Sequence, residues 1–331
     1  MRTPFPLIGC SIVLMVAGLR ADEFKGRVES FDPAFDKLVA ADAKIEKLAD
    51  GITWAEGPVW FDGGIIFSDV PKNVIYRWQE GWANKRVFLR PSGQLAAAPG
   101  FREPGSNGLA VDRQGRLLLC QCGERRIGRW EPEHGYTSIA DRYDGKRFNT
   151  PNDLVVKRNG DIYFTDPPYG FSEGTDSKLR ETPWHGVYRV AADGKVTLLT
   201  KSISYPNGIA FSPDEKTLYV SSTENGHAHI EAFDVQADGT IANGRMFFDG
   251  QALSAKDLPG VTDGFKVDRD GNVWTSGPGG ILVVSPAGKL LGRINLGLAA
   301  NCAWGDDGGT LYITASHALA RVRTRTKGNG W

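Results

Sequence analysis

The sequence predicts an all-β chain: a six-bladed β-propeller of four-stranded antiparallel blades around a central channel. Three observations carry this. One pattern recurs six times: an oxygen-bearing side chain, a short apolar run, a turn rich in Asp, Asn and Gly, then a second run of aromatic and β-branched residues, which is hairpin chemistry. The copies begin at Glu56, Asn107, Asn152, Asn207, Asp263 and Asn301, 38 to 56 residues apart. That leaves room for four strands in each, and radial repetition of four-stranded units is how propellers protect their sheet edges. Helical periodicity, finally, is nearly missing.

The elements follow in order. Arg2 precedes an apolar run from Leu7 to Leu19, which suits a secretory signal peptide over residues 1–21, cleaved near Ala21, and implies export to the periplasm or medium. "LIGC" at 7–10 has too little apolar chain before it for a lipoprotein signal. Residues 22–331 then form a single propeller domain. "FDKLVAADAKIEKLAD" (35–50) is helix-like or carries an opening strand around 43–48, and an N-terminal strand is expected to close the last blade. Between the repeat starts, "GVYRVAADGKVTLLT" (186–200) and "ILVVSPAGKLLGRI" (281–294) supply further strand pairs. "GPGG" (277–280) reads as a blade turn, and the basic end "RVRTRTKGNGW" as a solvated extension. No later segment resembles a membrane span.

Composition narrows the function. The chain has 331 residues, 41% of them hydrophobic, and 39 basic residues balance 39 acidic ones. Zero net charge argues against a nucleic-acid partner. Outside the presumed signal lie Cys120, Cys122 and Cys302. Cys120 and Cys122 share a strand face and are poorly placed to bond each other, so this is no disulfide scaffold.

The innermost strand of each blade lines the channel, so the six opening residues should stand at one height around the axis. Six converging oxygens are what a hard dication takes, and Glu56 with Asp263 would balance its charge. Asn-Gly and Asp-Gly also start strands as turn residues, which accounts for Asn107, Asn207 and Asp263. It does not account for Glu56. Glu56, Asn152, Asn207 and Asp263 are therefore the expected ligands of one divalent cation, Ca2+ first, with Mg2+, Mn2+ or Zn2+ as alternatives.

"EGPVW" (56–60), "RFNTPNDLVVKRNGDIYFTDPPYG" (147–170), "PNGIAFSPDEKTLYV" (206–220) and "DGFKVDRDGNVW" (263–274) together resemble the gluconolactonase/regucalcin-like (senescence marker protein) family, over residues 48–316. The resemblance implies a metal-dependent six-bladed propeller hydrolase of sugar lactones or similar esters, with one cation, often calcium, at the top of the channel. Carried over by position, Glu56, Asn207 and Asp263 are ligands, and Asn152 is a ligand or a contact to substrate and water. Some members place an arginine before the Asn-Asp pair to hold substrate oxygens; here Arg147 stands five residues before Asn152.

In lactone hydrolysis the metal polarises the carbonyl and activates water. Asp263 is the expected proton relay, and Asn152 and Asn207 can stabilise the oxyanion. Asp263 and Asn152 are thus the catalytic candidates, and Asn107, Arg147, Tyr169 and His185 the substrate candidates, Tyr169 and His185 flanking a long loop over the channel mouth. Rival chemistry is absent: there is no G-x-S-x-G elbow and no P-loop. His227 and His229 in "GHAHI" face the same way and lack an apparent third zinc ligand, which assigns them to the surface or the substrate pocket. The competing function is a non-catalytic exported propeller that binds a sugar or protein partner around a structural Ca2+.

Overall fold

Each repeat folds as an antiparallel meander running outward from the axis. The structure, a computed structural model, describes residues 26–224, 227, 229–254 and 258–331; the expected signal peptide at 1–21 lies outside them. Blade 1 comprises Ala55–Phe61, Gly64–Asp69, Val74–Trp78 and Arg86–Leu89, and blade 2 Ser106–Val111, Leu117–Gln121, Arg126–Glu131 and Gly135–Ala140. Blade 3 is Leu154–Val156, Ile162–Asp166, Gly186–Val190 and Val196–Thr200, and blade 4 Pro206–Phe211, Thr217–Ser222, His229–Val235 and Ile241–Asp249. Blade 5 (Phe265–Val267, Val273–Gly277, Gly280–Val284, Leu290–Asn295) gains a fifth, outermost strand, Arg27–Ser30.

Blade 6 contributes only Asn301–Gly305, Thr310–Ala315 and Ala318–Arg323. Its outer strand is Ile45–Ala49, antiparallel to Ala318–Arg323. The N-terminal closure expected from the sequence is therefore present. Of the helix-like stretch 35–50, a single 3-10 turn at Phe35–Lys37 and this strand are what forms. The basic C-terminal end differs from expectation. Its first residues belong to the strand Ala318–Arg323, and the rest folds back under blade 5, with Asn329 N–H donating to the Val267 carbonyl at 3.1 Å. Arg321 finds Glu46 and Glu80, so its charge is paired rather than solvated.

The core is divided among the blade interfaces. Six apolar clusters form, one between each pair of neighbouring blades. Along Leu117–Gln121, Leu118 and Cys120 face blade 3 while Leu117 and Leu119 face blade 1, so period-two alternation sends side chains into two interfaces at once. This is why second strands are buried at nearly every position. The aromatic residues pack across interfaces: Trp60 stacks on Tyr312 at 5.7 Å, Tyr163 meets Phe211 at 4.9 Å, and Trp274 meets Trp304 at 5.2 Å. The three cysteines are buried and unpaired.

At the axis the strand starts crowd together. A Cβ on Gly57, Gly108, Gly208 or Gly264 would come within 2.1 Å of the Asn107 carbonyl oxygen, 2.6 Å of Asp153 Oδ1, 2.3 Å of the Asp263 carbonyl oxygen and 2.0 Å of Asn301 Cγ, respectively. Real Cβ atoms do not approach that closely, so the glycine after each of these four opening residues makes room for the next blade. Of these four, only Gly57 has a positive φ, of 51°. The Asn-Gly and Asp-Gly pairs at 107, 207 and 263 thus answer to close approach between blades and not to turn chemistry. Hydroxyls on the second strands complete the fit. Ser68, Thr165 and Ser221 donate to the carbonyls of Asn107, Asn207 and Asp263 of the following blade at 2.8, 2.6 and 2.7 Å.

Gly208→Ala is expected to destabilise the protein by about 1–3 kcal/mol through overpacking. Gly309→Ala, where the nearest atom is the Asp307 carboxylate at 3.3 Å, should cost little. Denaturant unfolding of both variants checks this, and equal losses would contradict the close-approach argument.

Candidate active site

The crowding delivers the opening residues to one place. Glu56, Asn107, Asn152, Asn207 and Asp263 line a cavity of about 260 Å3 at the axis, together with Trp54, Arg102, Glu103, Tyr169, Thr223 and Val261. Arg102, Tyr169 and Thr223 also line an adjoining outer cavity of about 630 Å3, with Tyr205, Gly174, Thr175 and Glu224. Five of the six repeat starts therefore meet as expected. The sixth, Asn301, lies beneath them. Its amide nitrogen is 3.5 Å from Glu56 Oε2 and 3.4 Å from Asp153 Oδ2, and its oxygen accepts from Cys302 N–H at 2.9 Å and Lys266 Nζ at 3.2 Å. Asn301 is a floor to the site, spacing two carboxylates and anchored below by a lysine.

Hydrogen bonds fix the strand starts and the side chains that line the cavity. Glu56, 2% exposed, accepts from the Gly57 N–H at 3.0 Å. Ser221 Oγ accepts from Gly208 N–H at 2.8 Å while donating to the Asp263 carbonyl, and Ser276 Oγ accepts from Asp263 N–H at 2.9 Å. The Asn207 side chain, beside the Asp263 carboxylate, favours its charged form. Tyr169 hydroxyl reaches the Tyr205 carbonyl at 3.2 Å and Thr223 Oγ1, and its ring stacks on Tyr205 at 6.2 Å.

The electrostatics are those of carboxylates forced together. Burial raises the pKa of Glu56, and the charge of Asp153 adds to this. Burial raises Asp263 too, reinforced by Glu56, Asp153 and Glu103. Burial pushes Glu103 up to about 7 against the pull of Arg102, and lifts Asp153 against that of Lys266. Like charges in a shared site oppose one another's ionisation. The donor set fits a hard dication: two carboxylates, Glu56 and Asp263, with the amide oxygens of Asn152 and Asn207 beside them and no thiol or imidazole in the lining.

Two substrate candidates lie elsewhere. The chain before Asn152 is clamped, with Phe148 buried in the cluster between blades 2 and 3 and Asn149 N–H donating to Asp166 Oδ2 at 2.7 Å. Arg147, upstream of this clamp, reaches the Glu124 carbonyl and lines neither cavity. His185 bonds the Ser204 carbonyl and packs its ring 5.1 Å from Tyr205, standing behind that wall residue. The loop between Tyr169 and His185 does reach the mouth, through Gly174 and Thr175.

Arg102, Glu103 and Asp153 were not anticipated. The first two come from the segment joining blades 1 and 2, and their one signal was an Arg-Glu pair shortly before Asn107. Asp153 was in plain view as the second half of the Asn-Asp pair. For His227 and His229 the expectation of no third partner is corrected: Glu224, three residues before His227, places a ligand atom within 4.8 Å of both.

Six blades meeting in a buried ring of oxygen donors define a propeller with an acidic axial site. The chain belongs to the SMP-30/Gluconolactonase/LRE-like family, whose pattern matches residues 54–317. It is 39% identical to a gluconolactonase of Zymomonas mobilis over 317 residues, 92% of this chain and 87% of that protein. The solved gluconolactonase of Xanthomonas campestris superposes with a TM-score of 0.76 at 34% identity, over 90% of this chain and 95% of that one. The calcium-binding protein regucalcin of Agrobacterium tumefaciens shares the fold, with a TM-score of 0.62 at 20% identity over 85% of this chain and 92% of that one.

A carboxyl whose pKa rises on folding adds stability below its unfolded value near 4 and loses it as pH climbs through the raised value. Metal-free Glu56→Gln should therefore melt several degrees above the metal-free parent at pH 8 while binding divalent ions more weakly. The gap should close towards pH 5. Thermal melts with and without chelator check the pair of effects, and a lower melting point at pH 8 would refute the repulsion.

Proposed function

We propose that this chain is a divalent-metal-dependent hydrolase of sugar lactones or similar cyclic esters, working at the axial site. Lactone hydrolysis is the activity in the names of the two gluconolactonases above, and this chain is a carboxylic-ester hydrolase of that kind. The observation that carries the metal dependence is the ring of buried carboxylates and amide oxygens, which repel one another unless a cation sits among them.

Glu56, Asp263, Asn152 and Asn207 hold the ion in this reading. When bound, it supplies Lewis-acid polarisation of the carbonyl and a water of lowered pKa. Asp263 has a carboxylate oxygen to take the proton of the attacking water and return it to the leaving ring oxygen, and burial has raised its proton affinity towards that task. The Asn152 and Asn107 amides provide donors for the developing oxyanion. Arg102, exposed at the mouth with its Nε–H donating to the Tyr169 carbonyl at 2.7 Å, has further donors for substrate hydroxyls. The stacked Tyr169 and Tyr205 rings offer a flat wall. A cavity of about 260 Å3 is at the small end for ligand sites and suits one sugar-sized ring. Calcium is our choice of ion, because it accepts mixed carboxylate and amide oxygens without strict geometry. The remote regucalcin shares only the fold and does not decide it.

Turnover of a lactone panel, followed by acid release, is expected to vanish with chelator and return with Ca2+. Asp263→Asn should lose about 10^2–10^4-fold in kcat, whereas Arg102→Ala should raise KM and leave kcat within severalfold. Chelator-insensitive turnover would overturn the mechanism. Retained metal with no turnover on any lactone would favour a sugar- or protein-binding role instead. Export is proposed as well, on the apolar run Leu7 to Leu19. Intact-mass analysis of protein from the native source should place the mature N-terminus near residue 22, and an unprocessed chain would refute this.

A further inference from the structure

The pair His227 and His229 becomes a triad on the same face as the axial site. One ligand atom each from Glu224, His227 and His229 lie within 4.8 Å of one another, and the two imidazole rings are 4.5 Å apart, tilted by 38°. Blade 4 builds the setting from three adjacent strands. His229 opens the third strand, opposite Ser222 on the second and Asp249 on the fourth, and directly opposed residues share a sheet face. His229 is buried, and Thr262 Oγ1 donates to the carbonyls of Ser222 and His229 at 2.8 and 3.0 Å, pinning both strand ends.

Each ring has one nitrogen already engaged. Asp249 Oδ1 lies 3.0 Å from His227 Nε2, and the His227 carbonyl lies 3.3 Å from His229 Nδ1. These acceptors fix the tautomers and leave lone pairs on His227 Nδ1 and His229 Nε2. A carboxylate or carbonyl behind each imidazole is the outer support that metal-ligating histidines have. Glu231 Oε1, 4.0 Å from His229 Nε2, is a further oxygen at hand. Next to His229 the buried Ser222 hydroxyl makes no hydrogen bond among the described residues.

We propose that Glu224, His227 and His229 form a second metal site, for a transition-metal dication of the zinc class, with Asp249 supporting it from behind. Two imidazoles and a carboxylate suit such an ion, while the axial ring holds only hard oxygen donors. The two sites therefore sort different metals. Glu224 also lines the outer cavity with Arg102, Tyr169 and Thr223, so the second ion stands at the rim of the mouth.

The test uses the full protein held in excess Ca2+, titrated with Zn2+ by calorimetry and with Co2+ by visible absorption. One stoichiometric event is expected, and it should persist in Asp263→Asn. Affinity should fall at least about 100-fold in His227→Ala and about tenfold in Asp249→Asn, with thermal melts showing both variants folded. His227 is the residue chosen because it is less buried than His229. Absence of a stoichiometric event overturns the proposal, as does equal affinity in parent and His227→Ala. Loss of the event in Asp263→Asn but not in His227→Ala would put the ion at the axis and also overturns it. None of these readouts depends on turnover.

Discussion

Everything at the active end of this molecule depends on six backbones being pressed together at the axis. The blades are wedge-shaped sheets, and their innermost strands meet where space is least. At four of the six strand starts the next blade leaves no room for a side chain, which is why Gly57, Gly108, Gly208 and Gly264 are placed as they are. The residue just before each then has its backbone locked by two blades, and its side chain has nowhere to go but the channel. Serine and threonine hydroxyls at Ser68, Thr165 and Ser221 tie the carbonyls of three of these residues to the preceding blade. Positioning within a few tenths of an ångström is what a preorganised site requires, and here it comes from packing rather than from loops.

The same compression sets an electrostatic conflict. Glu56 and Asp263 are raised by burial and by their acidic neighbours, and their opposite charges are few: Lys266 below, through Asn301, and Arg102 above. A fold selected for stability alone would not assemble such a group, since buried like charges each cost several kcal/mol. The apolar clusters between the blades absorb that cost. Apolar burial and the crowded carboxylates are thus separated in space, the former in six interfaces and the latter at the one point all six share.

Much of this was legible in the sequence because a propeller writes its architecture as a repeat. The blade count, the channel ring and the N-terminal closure follow from pattern and period. The failures have physical causes. The glycines looked like turn residues because contacts between blades are invisible in one dimension. Arg102 and Glu103 come from a connecting segment whose path obeys no period. Arg147 and His185 are near the site in sequence, but Phe148 is claimed by the core and Tyr205 stands in front of His185. Glu224 escaped because strand alternation relates His227 to His229 but says nothing of a residue outside the strand. The basic C-terminus read as solvated because Glu46, its partner, is 275 residues away from Arg321.

That last separation bears on how the chain comes to be folded. The strands Ile45–Ala49 and Ala318–Arg323 flank the whole repeat array in the chain, yet they lie side by side. Arg27–Ser30 likewise pairs with Leu290–Asn295. Until the final blade exists, the ring is an open arc with two unsatisfied sheet edges, and Asn301 has not arrived to separate Glu56 from Asp153. Completion of the floor of the axial cavity and closure of the circle are consequently one event, reached only when the last blade is in place. Such long-range pairing makes folding slow, which leaves an interval in which the chain is still open.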